Sequence, residues 1–192
     1  GKKLNDETAE SLRAISLKTG KEIWRFNVKK TPSFSRDVDA SCLIYKDSLF
    51  IGLENGIFEI LDPTNENLIK NGDFYNPKIL AEIPLYNDSD IIFHQNNLII
   101  ESSPARLGER IYIASASGHI FGYNLESHKL DWEYYIGADI DGSTIITKDS
   151  CILIGFEKQY LEGYGGVLKI KLNSDQKNNV EWFFPIENSK SQ

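Results

Sequence analysis

Leu12–Trp24 constrains the fold of this chain more than any other stretch, because the rest of the sequence repeats it. Leu-Arg-Ala-Ile-Ser-Leu suits a strand, Lys-Thr-Gly-Lys a turn, and Glu-Ile-Trp-Arg-Phe alternates as a returning strand. The same length aligns without gaps to Ile57–Ile69, where Thr64 matches Thr19, Asn65 replaces Gly20 and Ile69 replaces Trp24. Asn is the best substitute for Gly at a turn position with positive φ, so the exchange is physically reasonable. A third copy is Ile120–Trp132, and a fourth, Val167–Trp182, carries a looser polar turn three residues longer at Asn173–Asn179.

The segments ahead of the hairpins repeat as well. Asp37-Val38-Asp39-Ala40-Ser41 is echoed by Asp139-Ile140-Asp141-Gly142-Ser143. Each leads into a strand, a Lys-Asp-Ser turn (Lys46–Ser48, Lys148–Ser150) and an apolar strand ending in Gly52-Leu53-Glu54 or Gly155-Phe156-Glu157. One repeat is therefore strand, turn, strand, a Gly-containing turn (Gly56, Gly118, Gly165-Gly166), strand, turn, strand. Trp24 to Ile69 spans 45 residues, Ile69 to Trp132 spans 63, and Trp132 to Trp182 spans 50. A period of roughly 40–45 residues is that of a four-stranded propeller blade. The long interval carries an insertion within Asn71–Asp90 or around Glu101–Glu109, and Pro77, Pro84 and Pro104 place both stretches in loops or at sheet edges.

The expected fold class is all-β: a β-propeller of four-stranded antiparallel blades, about three and a half of them in this chain. Residues 1–11 form an N-terminal segment, 12–185 the repeats and 186–192 a C-terminal tail. A four-stranded sheet cannot bury both faces alone, so blades stack, and Trp24, Ile69, Trp132 and Trp182 are the expected wedges between them. The first hairpin has too few residues ahead of it for the other half of its blade. Three readings stay open: part of a longer propeller, a ring or sheet completed by self-association or a partner, or a small irregular closed propeller.

Ala14 through Trp24, with Thr19-Gly20-Lys21 and the closing Trp24, resembles the tryptophan-docking repeat of the pyrroloquinoline-quinone-type propellers. That superfamily includes quinoprotein dehydrogenases, an outer-membrane assembly lipoprotein and the lumenal domains of unfolded-protein sensors. The resemblance covers about Leu12–Pro185, and it departs where the family consensus Asp is replaced by Ser16, Leu61, Asn124 and Lys171. It implies an extracytoplasmic location and a fold that serves many functions. The dehydrogenases of the family carry an adjacent Cys-Cys pair beside their quinone, which this chain lacks, so no quinone cofactor is expected.

The chain has 192 residues, a formal charge of −7 and a pI near 5.0, which argues against a general nucleic-acid or anionic-membrane surface. No apolar run reaches the ~18 residues of a membrane span, and the polar residues 1–7 do not read as a signal peptide. Cys42 and Cys151 sit in apolar, strand-like runs and read as two buried free thiols, with a disulfide between repeats as the alternative.

The sharpest candidates for chemistry are the paired carboxylates Asp37/Asp39 and Asp139/Asp141. Alternate residues on a strand share a face, and a hard cation such as calcium takes six to eight oxygens. The competing reading is solvated turn residues that stabilise the local backbone. His94, His119 and His128 are spread too widely to suggest a zinc site and read as structural or exposed. Ser115-Ala116-Ser117-Gly118 is not a nucleophile elbow, and Gly163-Tyr164-Gly165-Gly166 lacks the Lys of a phosphate loop. Tyr160 and Tyr164 are candidate partner-binding residues on that loop.

No catalytic residue emerges. The expectation is a non-enzymatic interaction or scaffold propeller that binds protein or peptide and can self-associate through open sheet edges. The alternatives are a dimerising, sensor-like lumenal domain that binds unfolded polypeptide, and a fragment of a quinoprotein dehydrogenase.

Overall fold

The computed structural model describes residues 12–172 and 179–185. The expected N-terminal segment, the C-terminal tail and nearly all of the turn Asn173–Asn179 lie outside these residues.

Blade I is a half blade of β1 (Leu12–Ile15) and β2 (Glu22–Phe26). Blade II begins with β3 (Leu43–Tyr45), β4 (Ser48–Gly52) and β5 (Ile57–Asp62). A separate hairpin follows, β6 (Ile69–Asn71) and β7 (Phe74–Asn76), before β8 (Lys78–Pro84) returns to close blade II. After the short helix α1 (Asp88–Phe93) come the strands of blade III: β9 (Ala105–Leu107), β10 (Arg110–Ala114), β11 (His119–Asn124) and β12 (Lys129–Tyr135). Blade IV is β13 (Ile145–Ile146), β14 (Cys151–Phe156), β15 (Gly166–Lys171) and β16 (Val180–Pro185). Every blade is an antiparallel meander, so the expected three and a half four-stranded blades are present. No helix among the described residues is long and apolar enough to cross a membrane.

Turn chemistry sets these hairpins. Lys46 (φ 47°) and Asp47 (φ 59°) both adopt positive φ between β3 and β4, the geometry whose twist matches that of the flanking strands. Gly118 (φ 81°) is required twice over, because a Cβ there would stand 2.6 Å from the Gly137 Cα.

Alternation along the strands builds three cores, one for each junction between blades. Trp24, Phe26 and Val28 pack on Leu49, Ile51, Leu53 and Leu61 of blade II. Phe50, Phe58 and Ile60, on the opposite face of that sheet, meet Ile111, Ile113 and Tyr123 of blade III. Tyr112, Ala114 and Ile120 then meet Ile152, Ile154, Leu168 and Ile170 of blade IV.

A register irregularity between the third and fourth strands recurs in every blade, after Ala14, Ile60, Gly122 and Lys169. Opposite these four residues stand Trp24, Ala81, Trp132 and Trp182. Trp24 is buried, and Trp132 packs against the core between blades III and IV, as wedges should. Ile69 is not a wedge, and Trp182 holds the wedge position without a cover among the described residues. Ile69 is an exposed residue of β6, and Ala81 occupies the wedge position of blade II, because the β6–β7 hairpin separates β5 from its true partner. Trp182 is 42% exposed, since no blade packs over it among the described residues.

Both cysteines are free, but only Cys151 is buried; Cys42 is exposed, lying ahead of β3 rather than within a strand.

Candidate functional site

One backbone hydrogen bond is repeated in three blades and defines which residues correspond. The amides of Glu54, Ala116 and Glu157 donate to the carbonyls of Asp37, Ile99 and Asp139, at 3.2, 2.9 and 2.9 Å. Two residues further along are Asp39, Glu101 and Asp141, and two beyond those are Ser41, Ser103 and Ser143. The serines join consecutive blades: the Ser41 amide donates to the Ser103 hydroxyl at 2.9 Å, and the Ser103 amide to the Ser143 hydroxyl at 3.1 Å. This ladder fixes the spacing of the acidic residues beside it.

Carboxylate oxygens of Asp39, Glu54 and Glu101 lie within 4.8 Å of one another. Glu54 is buried and accepts from the Ser35 hydroxyl, while its backbone carbonyl accepts from Ser33 at 2.5 Å. Burial raises its pKa, and the neighbouring Asp39 and Asp37 carboxylates add to the rise. Glu101 is also pushed well above the ordinary carboxylate range, first by burial and then by Asp141, Glu54 and Asp39. It therefore stands electrostatically between the two Asp-x-Asp pairs.

Asp139, only 5% exposed, accepts from the Asn97 side-chain amide at 2.6 Å, and its other oxygen has no hydrogen-bond partner among the described residues. Burial, followed by Asp141, raises its pKa against the opposing effect of Asn97. Glu157 is raised by burial and by Asp141. The four carboxylates expected from sequence thus belong to one acidic belt with Glu54, Glu101 and Glu157.

Such a belt is relieved by a proton or by a hard cation. Two oxygens ligating one calcium ion at about 2.4 Å each can stand up to about 5 Å apart, so Asp39, Glu54 and Glu101 can share one. A second acidic group, Asp149, Cys151 and Glu181, is already neutralised: the Lys169 ammonium lies 2.6 Å from Asp149 and 2.8 Å from Glu181.

The remaining residues singled out from sequence fall elsewhere. His119 is held between Glu133 (2.5 Å) and Asp90 (3.3 Å), and the exposed His128 faces the Tyr123 hydroxyl at 3.2 Å. His94 differs from the expectation of a satisfied or exposed ring. It is fully buried with neither ring nitrogen hydrogen-bonded among the described residues, wedged edge-on against Phe93 and Tyr160. Tyr160 is half-buried there, its hydroxyl donating to the His94 carbonyl, so only Tyr164 of the expected tyrosine pair is exposed.

Glu54 and Glu157 were visible as repeated strand ends. Glu101 had no such signal, because its segment reads Ile99-Ile100-Glu101 in place of Asp-x-Asp.

No family model and no curated protein matches the chain. Solved structures do. BamB from Moraxella catarrhalis superimposes with a TM-score of 0.61 at 16% identity, covering 88% of this chain and 44% of its own. Saccharomyces cerevisiae Sqt1 gives 0.59 at 11% identity, with 86% and 39% covered. The quinohemoprotein alcohol dehydrogenase ADHIIG from Pseudomonas putida HK5 gives 0.59 at 12% identity, with 78% and 21% covered. The chain therefore spans less than half the length of each. At these identities the likeness concerns architecture alone, that of stacked four-stranded β-propeller blades.

Proposed function

We propose that this chain is a non-catalytic, protein-binding propeller module, completed by a further blade packed on the open face of blade IV. The observation that carries this reading is a face built for burial and left uncovered. In blade III the row Ala114, Ile120 and Tyr134 lies under blade IV, and the first two are fully buried. The corresponding row of blade IV is Gly155, Val167 and Phe184, with Phe184 65% exposed, beside Trp182 and an exposed Ile145. Exposed apolar patches of this kind mark interaction sites. A blade from a second copy, or from a longer propeller, would bury them as the internal junctions do.

Light scattering tests the self-association arm. A solution mass above the monomer's 21.8 kDa is expected, falling to the monomer for Trp182→Asp/Phe184→Asp without loss of the folded spectrum. A monomeric parent that also fails to capture polypeptide through this face would remove the reading. A sensor-like dimer uses the same face and adds binding of unfolded chains, which a peptide titration reads separately. The lack of an adjacent cysteine pair argues against a quinone dehydrogenase in particular, and the extracytoplasmic location rests on the family resemblance alone. Calcium at Asp39, Glu54 and Glu101 enters the proposal as a structural ion.

A further inference from the structure

We propose that the junction between blades II and III holds a binding site for a small planar aromatic molecule of the indole class. In blade III the cross-strand row is Ala105, Tyr112, Gly122 and Trp132. The Trp132 ring lies across Gly122 and meets Tyr112 edge-on at 5.4 Å, filling the space toward blade IV. The same row in blade II is Leu43, Phe50, Ile60 and Ala81. A methyl group stands where the indole should be.

Ile60 takes back part of that volume, since it replaces Gly122, but a cavity of about 510 Å³ remains. Phe50, Ile60 and Ala81 line it from blade II, and Tyr123, Leu125 and His128 from blade III. The volume falls within the roughly 300–1,000 Å³ range of ligand sites, whose walls are mostly apolar and aromatic with few polar groups. Here the polar groups are at the rim: the Tyr123 hydroxyl with His128, and the Lys46 ammonium, which also faces Glu109 at 3.4 Å. Phe50 and Tyr123, ring centroids 6.4 Å apart and tilted by 52°, offer aromatic walls from both blades. The two rings touch, so a flat ring would lie against this shared aromatic surface rather than between them, taking the space that Trp132 takes one junction later, with an anionic substituent directed to Lys46 at the rim. Two walls from two different blades favour a free small molecule over a side chain presented on a partner's surface.

The test is calorimetric titration of the whole chain with indole-3-acetate, with cyclohexane acetate as the non-aromatic control. Saturable binding of the aromatic probe at least tenfold tighter than the control is expected. Ala81→Trp should abolish binding and raise the melting temperature, because it restores the missing wedge. Ala81→Leu, a milder filling, should weaken binding at least tenfold and serves if the Trp variant does not fold. No saturable binding, or binding unchanged in the filled variant, overturns the proposal. A Trp-containing peptide that outcompetes the free probe would transfer the site to a protein partner and overturn the small-molecule reading.

Discussion

Trp132 and Tyr112 meet edge-on, ring centroids 5.4 Å apart, across a glycine that leaves them room. Trp24 is likewise buried against blade II, whereas Trp182, at the same repeat position, faces no blade among the described residues. Three equivalent tryptophans should therefore differ in what they contribute. Trp24→Ala and Trp132→Ala should each cost about 3 kcal/mol, near the lower end for removing a packed aromatic side chain. Trp182→Ala should cost under about 1 kcal/mol in the isolated monomer, as for most exposed positions. Urea unfolding of the three variants at one protein concentration measures the difference.

Gly52 sits against Ile100 so closely that a Cβ would stand 2.1 Å from the Ile100 Cγ2. The β-branched Ile100 is fully buried and has few rotamers to escape into. Gly52→Ala should destabilise by about 1–3 kcal/mol, the usual range for overpacking a core. Adding Ile100→Ala should recover part of that loss, and a double-mutant cycle reads the coupling. Simple additivity would place the strain elsewhere.

Glu59, on the blade II face turned toward blade I, is 1% exposed, and burial followed by the nearby Glu82 pushes its pKa to about 8. The folded state then binds its proton more tightly than the unfolded chain, whose value is 4.5. Stability from this group is complete below about pH 4.5 and is lost as pH rises toward 8. Glu59→Gln keeps the shape and removes the titration, so its urea midpoint should fall less between pH 5 and 8.5 than the parent's. Glu101 and Asp139 are raised in the same direction, so part of the parent's slope should persist.

His94 acts in the opposite direction. Burial lowers its pKa below 6.5, outweighing the attraction of Asp90. The unfolded chain takes up the proton first, and stability falls as pH drops through 6.5. His94→Phe fits the same aromatic slot between Phe93 and Tyr160 and removes two unpaired ring nitrogens. It should be at least as stable as the parent at pH 7 and more stable at pH 5.5. A variant less stable at both values would mean that His94 has a polar partner worth keeping.

These features were unequally visible in the sequence, and the reasons are local. Hairpins and blades could be read because turn residues and period-2 alternation leave short-range signals. In blade II, however, the gapless alignment set Ile57 against Leu12, while the bulge register sets Phe58 there. A slip of one residue exchanges the two faces of a strand. Gly56 and Gly118, each two residues ahead of the matched position, carried the correct register. The β6–β7 hairpin then hid β8, whose Ala81 gives no docking signal because what matters there is a missing side chain. In the acidic belt, the Asp-x-Asp pairs were visible as a motif, but Glu101 belongs to it only through the folding of blade III beside blade II.

That belt also couples stability to divalent cations. Burial and the Asp39 and Asp37 charges hold Glu54 above the ordinary carboxylate range, burial followed by Asp141 and Glu54 does the same for Glu101, and Asp39 stands within 4.8 Å of both. A divalent cation there would exchange repulsion for coordination, and binding to the folded state alone stabilises it by mass action. Calcium at ten times its dissociation constant should add about 1.4 kcal/mol by this relation. Magnesium should add less, because it needs near-octahedral geometry and keeps its water. Glu101→Gln removes one ligand and the charge that links the two Asp-x-Asp pairs. That variant should start more stable than the parent in chelator and gain little from calcium. A melting temperature unmoved by millimolar calcium in the parent would leave the proton as what relieves the belt, and stability should then rise as pH falls from 8 toward 5.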